Sequence, residues 1–181
     1  LGMRSTVSRE MMLKDVWVSA DSEILPPGVF GQLYQRMPHQ FLGFSATFLG
    51  VMQASYDFAI AYLTGQTPGA SNARDNSSDM TNAVAEMLFT LEGARALYYR
   101  AISEMQLDPT VESVQRARAA HTKIQRTAVQ ITGEAIRVCG GRAYLKQYPL
   151  ERYYRDARAS ALMRPWTEEI ATKQAGEIAL A

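Results

Sequence analysis

One cysteine, two histidines and a near-zero net charge are the scarcities that first constrain this 181-residue chain. The single Cys139 excludes an internal disulfide framework and a cysteine-rich metal site, and is compatible with a reduced, cytoplasmic setting. His39 and His121 lie far apart, and neither has a second histidine or a carboxylate at ligand spacing, so no metal site is expected. Nineteen basic against 18 acidic residues leave a formal charge of +1, which gives no electrostatic case for a nucleic-acid partner. No apolar run is long enough to span a bilayer, and no secretory segment is read at the start. Neither a Gly-x-Gly-x-x-Gly fingerprint nor a Walker loop occurs, so nucleotide binding through either is unsupported.

What the chain does have is apolar mass. At 47% hydrophobic residues it can build a sizeable core, and its length suits one domain, or one domain plus a piece of another. Residues 1–30 read differently from the rest. Met12-Leu13-Lys14-Asp15-Val16-Trp17-Val18 alternates and ends in β-favouring residues, which predicts one strand, and Pro26-Pro27-Gly28 stops it. One strand is not a sheet: it pairs with sequence outside the chain or lies as an exposed arm. The opening Leu1, in place of Met, suggests a piece of a longer polypeptide.

From residue 31 onward the periodicity is helical. A first helix is predicted over 31–64, with Pro38 kinking it or marking an earlier turn. Phe41, Phe44, Phe48, Met52, Phe58 and Tyr62 form its apolar stripe. Residues 64–78 read as an exposed loop rich in Gly, Ser, Asn and Thr. A second helix over 78–106 buries Met87, Leu88, Leu91, Ala94, Tyr98, Ile102 and Met105. A third, capped by Thr110, runs to about Val138 and ends at Gly140-Gly141. Pro149 opens a shorter helix to about Met163, and a last one spans 167–179, giving an all-α, up-down helical bundle.

The polar residues on these helices are less decisive. His121 reads as structural and Cys139 as a small buried hydrophobe. Glu151 reaches Arg155 at i+4, and Arg152 reaches Asp156 at the same spacing. By spacing alone this is a salt-bridged surface helix, each exposed pair contributing about 0.3–0.5 kcal/mol.

The order Gly140-Gly141, Tyr144, Tyr148-Pro149, Glu151-Arg152 and Arg155-Asp156-Ala157-Arg158 resembles the C-terminal helical domain of the acyl-CoA dehydrogenase family. The resemblance covers nearly the whole chain. It implies that residues 1–30 are a remnant of the family's middle β-domain and linker, and that 31–181 are the helical bundle. It further implies FAD as cofactor, an acyl-CoA substrate, an oxidoreductase role in fatty acid metabolism, and self-association as dimer or tetramer. It also favours an internal ionic network on the Arg-Asp-Ala-Arg helix over a solvated one.

Carried over residue by residue, Gly140 and Gly141 match the glycine pair that lies beside the FAD of a neighbouring subunit. Arg137 stands where the family usually has Gln and retains the capacity for bidentate contact with a pyrophosphate. Thr167 and Glu169 fit the Thr-x-Glu/Gln element near the cofactor. The usual catalytic Glu is absent, because the chain reads Arg164-Pro165-Trp166 before Thr167. The alternative base position, around His39 and Gln40, also lacks a carboxylate, which leaves Glu168 and His39 as weak catalytic candidates. Gln66-Thr67-Pro68-Gly69-Ala70 replaces an expected FAD-binding arginine and aromatic contact. Three functions follow: a divergent dehydrogenase that is silent as a fragment, a flavin monooxygenase needing no α-proton base, or a non-catalytic oligomerisation module.

Overall fold

The computed structural model describes residues 2–37, 39–68, 70, 78–163 and 167–180, with backbone only at 30, 31, 34 and 35. Pro38, Gly69 and Arg164-Pro165-Trp166 lie outside the described residues. Six α-helices are present among them: α1 (Val29–Arg36), α2 (Leu42–Leu63), α3 (Ser78–Ser103), α4 (Val111–Cys139), α5 (Leu150–Ser160) and α6 (Glu168–Leu180).

Helix α4 is the axis of the bundle and packs against α2, α3, α5 and α6. Side-chain pairs set the directions. Ser45 meets His121 and Met52 meets Thr127, so α2 and α4 run parallel. Gln125 meets Ser160 and Gly133 meets Tyr154, so α5 returns antiparallel to α4. Buried Ala59, Ala94, Ala117, Ala120, Ala128, Ala135 and Ala157 carry little side-chain bulk at these seams, which lets the helices approach closely. Leu42, Met52, Met87, Leu91, Ile124, Ile131 and Leu150 fill the space between them.

The helix ends follow local chemistry. Thr110 Oγ1 accepts the Ser113 N–H at 3.2 Å and satisfies one orphan donor of α4. At the other end Gly140 takes φ 79° and ψ 173°, a region open essentially to glycine alone. Pro149 starts α5, its carbonyl accepting from Arg152 and Tyr153. Thr167 Oγ1 accepts the Ile170 N–H at 3.3 Å and caps α6.

Three expectations need correction. The predicted strand over Met12–Val18 is not formed; the segment is an irregular exposed arm with Trp17 85% exposed, because no neighbouring strand supplies ladder partners. The helix over 31–64 is not continuous: α1 and α2 are separate helices with a turn at 39–41 between them, the second of the two alternatives read at Pro38. Phe44, Leu88, Ile102 and Met105, assigned to buried faces, are exposed. Their three- and four-residue spacing is real, but the apolar stripe is wider than the faces that α4 covers.

Candidate functional site

Arg137 lies in the last turn of α4, which Gly140 caps, and lines the groove that α4 forms with α3. The groove has a volume of about 510 Å³ and is floored by Ala83, Met87 and Ile131. Asp79, Glu86 and Glu134 line its walls with Arg137. The Arg137 guanidinium is held by Glu134, with Nε at 2.9 and 3.0 Å from the two carboxylate oxygens and Nη2 at 2.5 Å from Oε1. That carboxylate raises the arginine's pKa above its ordinary value. Any anion that engages Arg137 therefore competes with an i−3 partner already in place.

The glycine pair is open. A Cβ built on Gly140 or Gly141 meets nothing within 4 Å, so a ligand can reach this backbone without displacing protein atoms. Arg142, exposed, follows Gly141 directly in the next 3-10 turn (Gly141–Tyr144).

Thr167, Glu168 and Glu169 lie elsewhere. They line a hollow of about 550 Å³ at the start of α6 together with Arg158, Leu162 and Lys173. Glu168 pairs with Arg126 Nε at 2.7 Å, and Arg126 Nη2 donates to Thr172 Oγ1 at 3.2 Å, which ties α6 to α4. Arg126 stands about three turns before Arg137, roughly 16 Å along the α4 axis. Within one chain the two sets of residues expected at a cofactor therefore present separate surfaces.

His39, just before α2, is 2% exposed, and burial lowers its pKa from the ordinary 6.5. The imidazole is thus neutral near pH 7, as a base requires, and its Nδ1 has no hydrogen-bond partner among the described residues. Its burial closes it to a substrate in this arrangement. His121 is structural as expected: its Nδ1 lies 2.7 Å from Ser45 Oγ, and its ring sits 4.9 Å from that of Phe41. Cys139 is buried, and burial pushes its thiol pKa up to about 12, which excludes a reactive thiolate. Among the described residues no cluster of His, Cys, Asp and Glu can hold a metal ion, and no helix is long and apolar enough to cross a membrane.

On α5 one predicted ion pair forms and one does not. Arg155 Nε lies 2.7 Å from Glu151 Oε2 and Nη2 lies 3.0 Å from Oε1, and the guanidinium holds the Glu151 carboxyl below its usual range. Arg152 instead lies over the Tyr153 ring at 5.4 Å, and Asp156 accepts the Met3 backbone N–H at 2.5 Å. Helical spacing brings Arg152 and Asp156 within reach, but no Arg152–Asp156 pair forms, and Asp156 Oδ1 instead accepts a backbone donor from the N-terminal segment. Sequence reasoning missed this contact and the Arg126–Glu168 tether, since neither leaves a local pattern.

Residues 42–164 match the family model described as acyl-CoA dehydrogenase, C-terminal domain. The chain is 29% identical over 170 residues to the mitochondrial short-chain specific acyl-CoA dehydrogenase of Bos taurus, covering 93% of this chain and 40% of that protein. It is 26% identical over 171 residues to the short-chain specific acyl-CoA dehydrogenase of Clostridium acetobutylicum, covering 93% and 44%. The fold is similar to that of butyryl-CoA dehydrogenase from Megasphaera elsdenii, with a TM-score of 0.66 and 24% identity over 77% of this chain and 36% of that one. The chain thus spans less than half the length of the curated relatives it matches.

Proposed function

The chain belongs to the acyl-CoA dehydrogenase family through its C-terminal helical domain, and from that premise we propose that it serves as the helical part of a longer FAD-dependent oxidoreductase acting on an acyl-CoA thioester. In this reading residues 1–30 are the end of a β-domain with its linker, and 31–181 are the bundle. The observation that carries the reading is the Gly140-Gly141 corner. Its backbone is bare, glycine is demanded at 140 by φ 79°, and Arg137 and Arg142 stand on either side.

That corner fits the phosphate-bearing portion of FAD: the open glycines admit close approach, and Arg142 adds positive charge. Arg137 contributes once it exchanges Glu134 for the ligand. Thr167 and Glu169, about three turns away along α4, face a separate portion of a cofactor, which suits a dimer or tetramer in which two chains complete one site. FAD, when bound, would supply the hydride acceptor. The chain's own residues hold, orient and shield, and by themselves are catalytically silent. A cytoplasmic setting and a short-chain acyl-CoA, the class named for the relatives, belong to the same proposal.

A second reading, a flavin monooxygenase on the same scaffold, is favoured by one feature: no carboxylate precedes Thr167, and Glu168 is engaged by Arg126. The test is to express the gene product with the coding sequence upstream of Leu1 and add butyryl-CoA anaerobically. A yellow protein that bleaches supports the dehydrogenase. A yellow protein that does not bleach, but inserts oxygen after reduction, favours the monooxygenase. A colourless protein with no affinity for FAD overturns both and leaves an oligomerisation module.

A further inference from the structure

Two neighbouring residues at the start of the chain are fitted to α5 in different ways. A Cβ on Gly2 would overlap the Arg155 carbonyl oxygen and stand 2.5 Å from its carbon and 2.9 Å from the Asp156 nitrogen. The obstacle is helix backbone, so no side-chain adjustment relieves it, and only glycine fits. The next residue, Met3, donates its backbone N–H to Asp156 Oδ1 at 2.5 Å across 153 positions of sequence. Its side chain packs, half-buried, against the core.

The segment then closes on itself. Thr6 donates its backbone N–H and its hydroxyl to the Met3 carbonyl, at 3.2 and 2.8 Å. Met3 and Val7 take φ of 54° and 47°, left-handed conformations that cost about 1–2 kcal/mol each for an L-residue. Val7 donates its backbone N–H to the Arg4 carbonyl at 3.3 Å, and the Thr6 and Ser8 hydroxyls lie 3.2 Å apart; further along, Met11, Met12, Leu13 and Trp17 are all exposed. Of the arginines near Asp156 on α5, Arg155 is paired with Glu151, though it feels the Asp156 charge, and Arg152 lies over Tyr153.

We propose that Gly2, Met3 and Asp156 form a latch that docks the chain's own N-terminal segment onto α5, with Asp156 as its positioning residue. The latch has a consequence for the α5–α6 corner. Gly2 forms one wall of a mainly apolar hollow of about 360 Å³, whose other walls include Tyr154, Ala159, Leu162 and Met163. With the segment undocked, that hollow opens on one side. The latch is a property of the chain by itself and does not depend on flavin chemistry.

The test is amide hydrogen exchange at Met3, together with the rate of tryptic cleavage after Arg4, in the full 181-residue chain. Arg9 and Lys14, in the exposed arm, are internal references for cleavage. Asp156→Ala is expected to speed Met3 exchange and Arg4 cleavage about tenfold, with cleavage at Arg9 and Lys14 unchanged. Asp156→Asn keeps a side-chain carbonyl that accepts the same N–H, so most of the protection should return. Gly2→Ala should lose it, and since Gly2 lies outside every helix it carries the test if Asp156→Ala does not fold. Unchanged Met3 exchange and Arg4 cleavage in Gly2→Ala, or in a folded Asp156→Ala, overturns the latch. So does an Asp156→Asn variant as unprotected as Asp156→Ala.

Discussion

Ser45 Oγ and His121 Nδ1 meet at 2.7 Å across the seam between α2 and α4, with both residues buried. The pair fixes the axial register of two parallel helices, and Phe41 packs its ring against the imidazole. A buried polar atom that loses its partner retains its desolvation cost. Ser45→Ala is therefore expected to destabilise the bundle by about 1–3 kcal/mol. Urea denaturation measures this directly. A loss below about 0.5 kcal/mol, within the range of ordinary surface substitutions, would show that the pair does not set the register.

The helices were legible because their signals are local. Thr110, Gly140, Pro149 and Thr167 each mark a boundary through the hydrogen bonds of the nearest turn, and each lies within a residue or two of an observed end. The depth of burial was not legible at Phe44 or Ile102, since periodicity assigns a residue to a face without saying how much of that face a neighbour covers. At the candidate site, Gly140 was readable from its place at a helix end. The state of Arg137 was only half readable: Glu134 is at i−3, yet the choice between that carboxylate and a ligand is made in space. Asp156 shows the limit most clearly. Its helical spacing points to Arg152, and its partner is a backbone amide from the opposite end of the chain.

His39 is expected to contribute a mild-acid dependence of stability. Burial lowers its folded-state pKa below 6.5, so between those two values the unfolded chain binds more protons than the folded one. The His39 contribution to stability is therefore constant above about pH 7 and declines as pH falls through 6.5 towards the lowered value. His39→Gln should flatten this acid limb. Comparing urea midpoints of the two proteins between pH 7 and 5 checks the point, and an identical slope in both would remove His39 from the acid response.

Cys139 acts at the other end of the pH range. Burial raises its thiol pKa to about 12 against an ordinary 9.0. Above pH 9 the unfolded thiol ionises while the folded one keeps its proton, so this contribution is complete below 9 and lost as pH rises towards 12. The difference in stability between wild type and Cys139→Ala should shrink over that window. At neutral pH the native thiol should resist iodoacetamide and react only on unfolding. Rapid alkylation of the folded protein would contradict the burial argument.

Gly140 and Gly141 are adjacent but separable. Gly140 has φ 79° and ψ 173°, so Gly140→Ala should cost about 1–3 kcal/mol through backbone strain alone. Gly141 has no positive φ, and a Cβ there meets nothing within 4 Å. Gly141→Ala should leave stability within about 0.5 kcal/mol. That neutrality makes it the informative variant for function. If a phosphate-bearing cofactor approaches this backbone, the added methyl obstructs it, and the longer gene product carrying Gly141→Ala should bind FAD at least about tenfold more weakly while unfolding at an unchanged urea midpoint. Flavin fluorescence titration of the apoprotein reads the binding. Wild-type affinity in Gly141→Ala would place the cofactor elsewhere and reduce the glycine pair to a helix terminus.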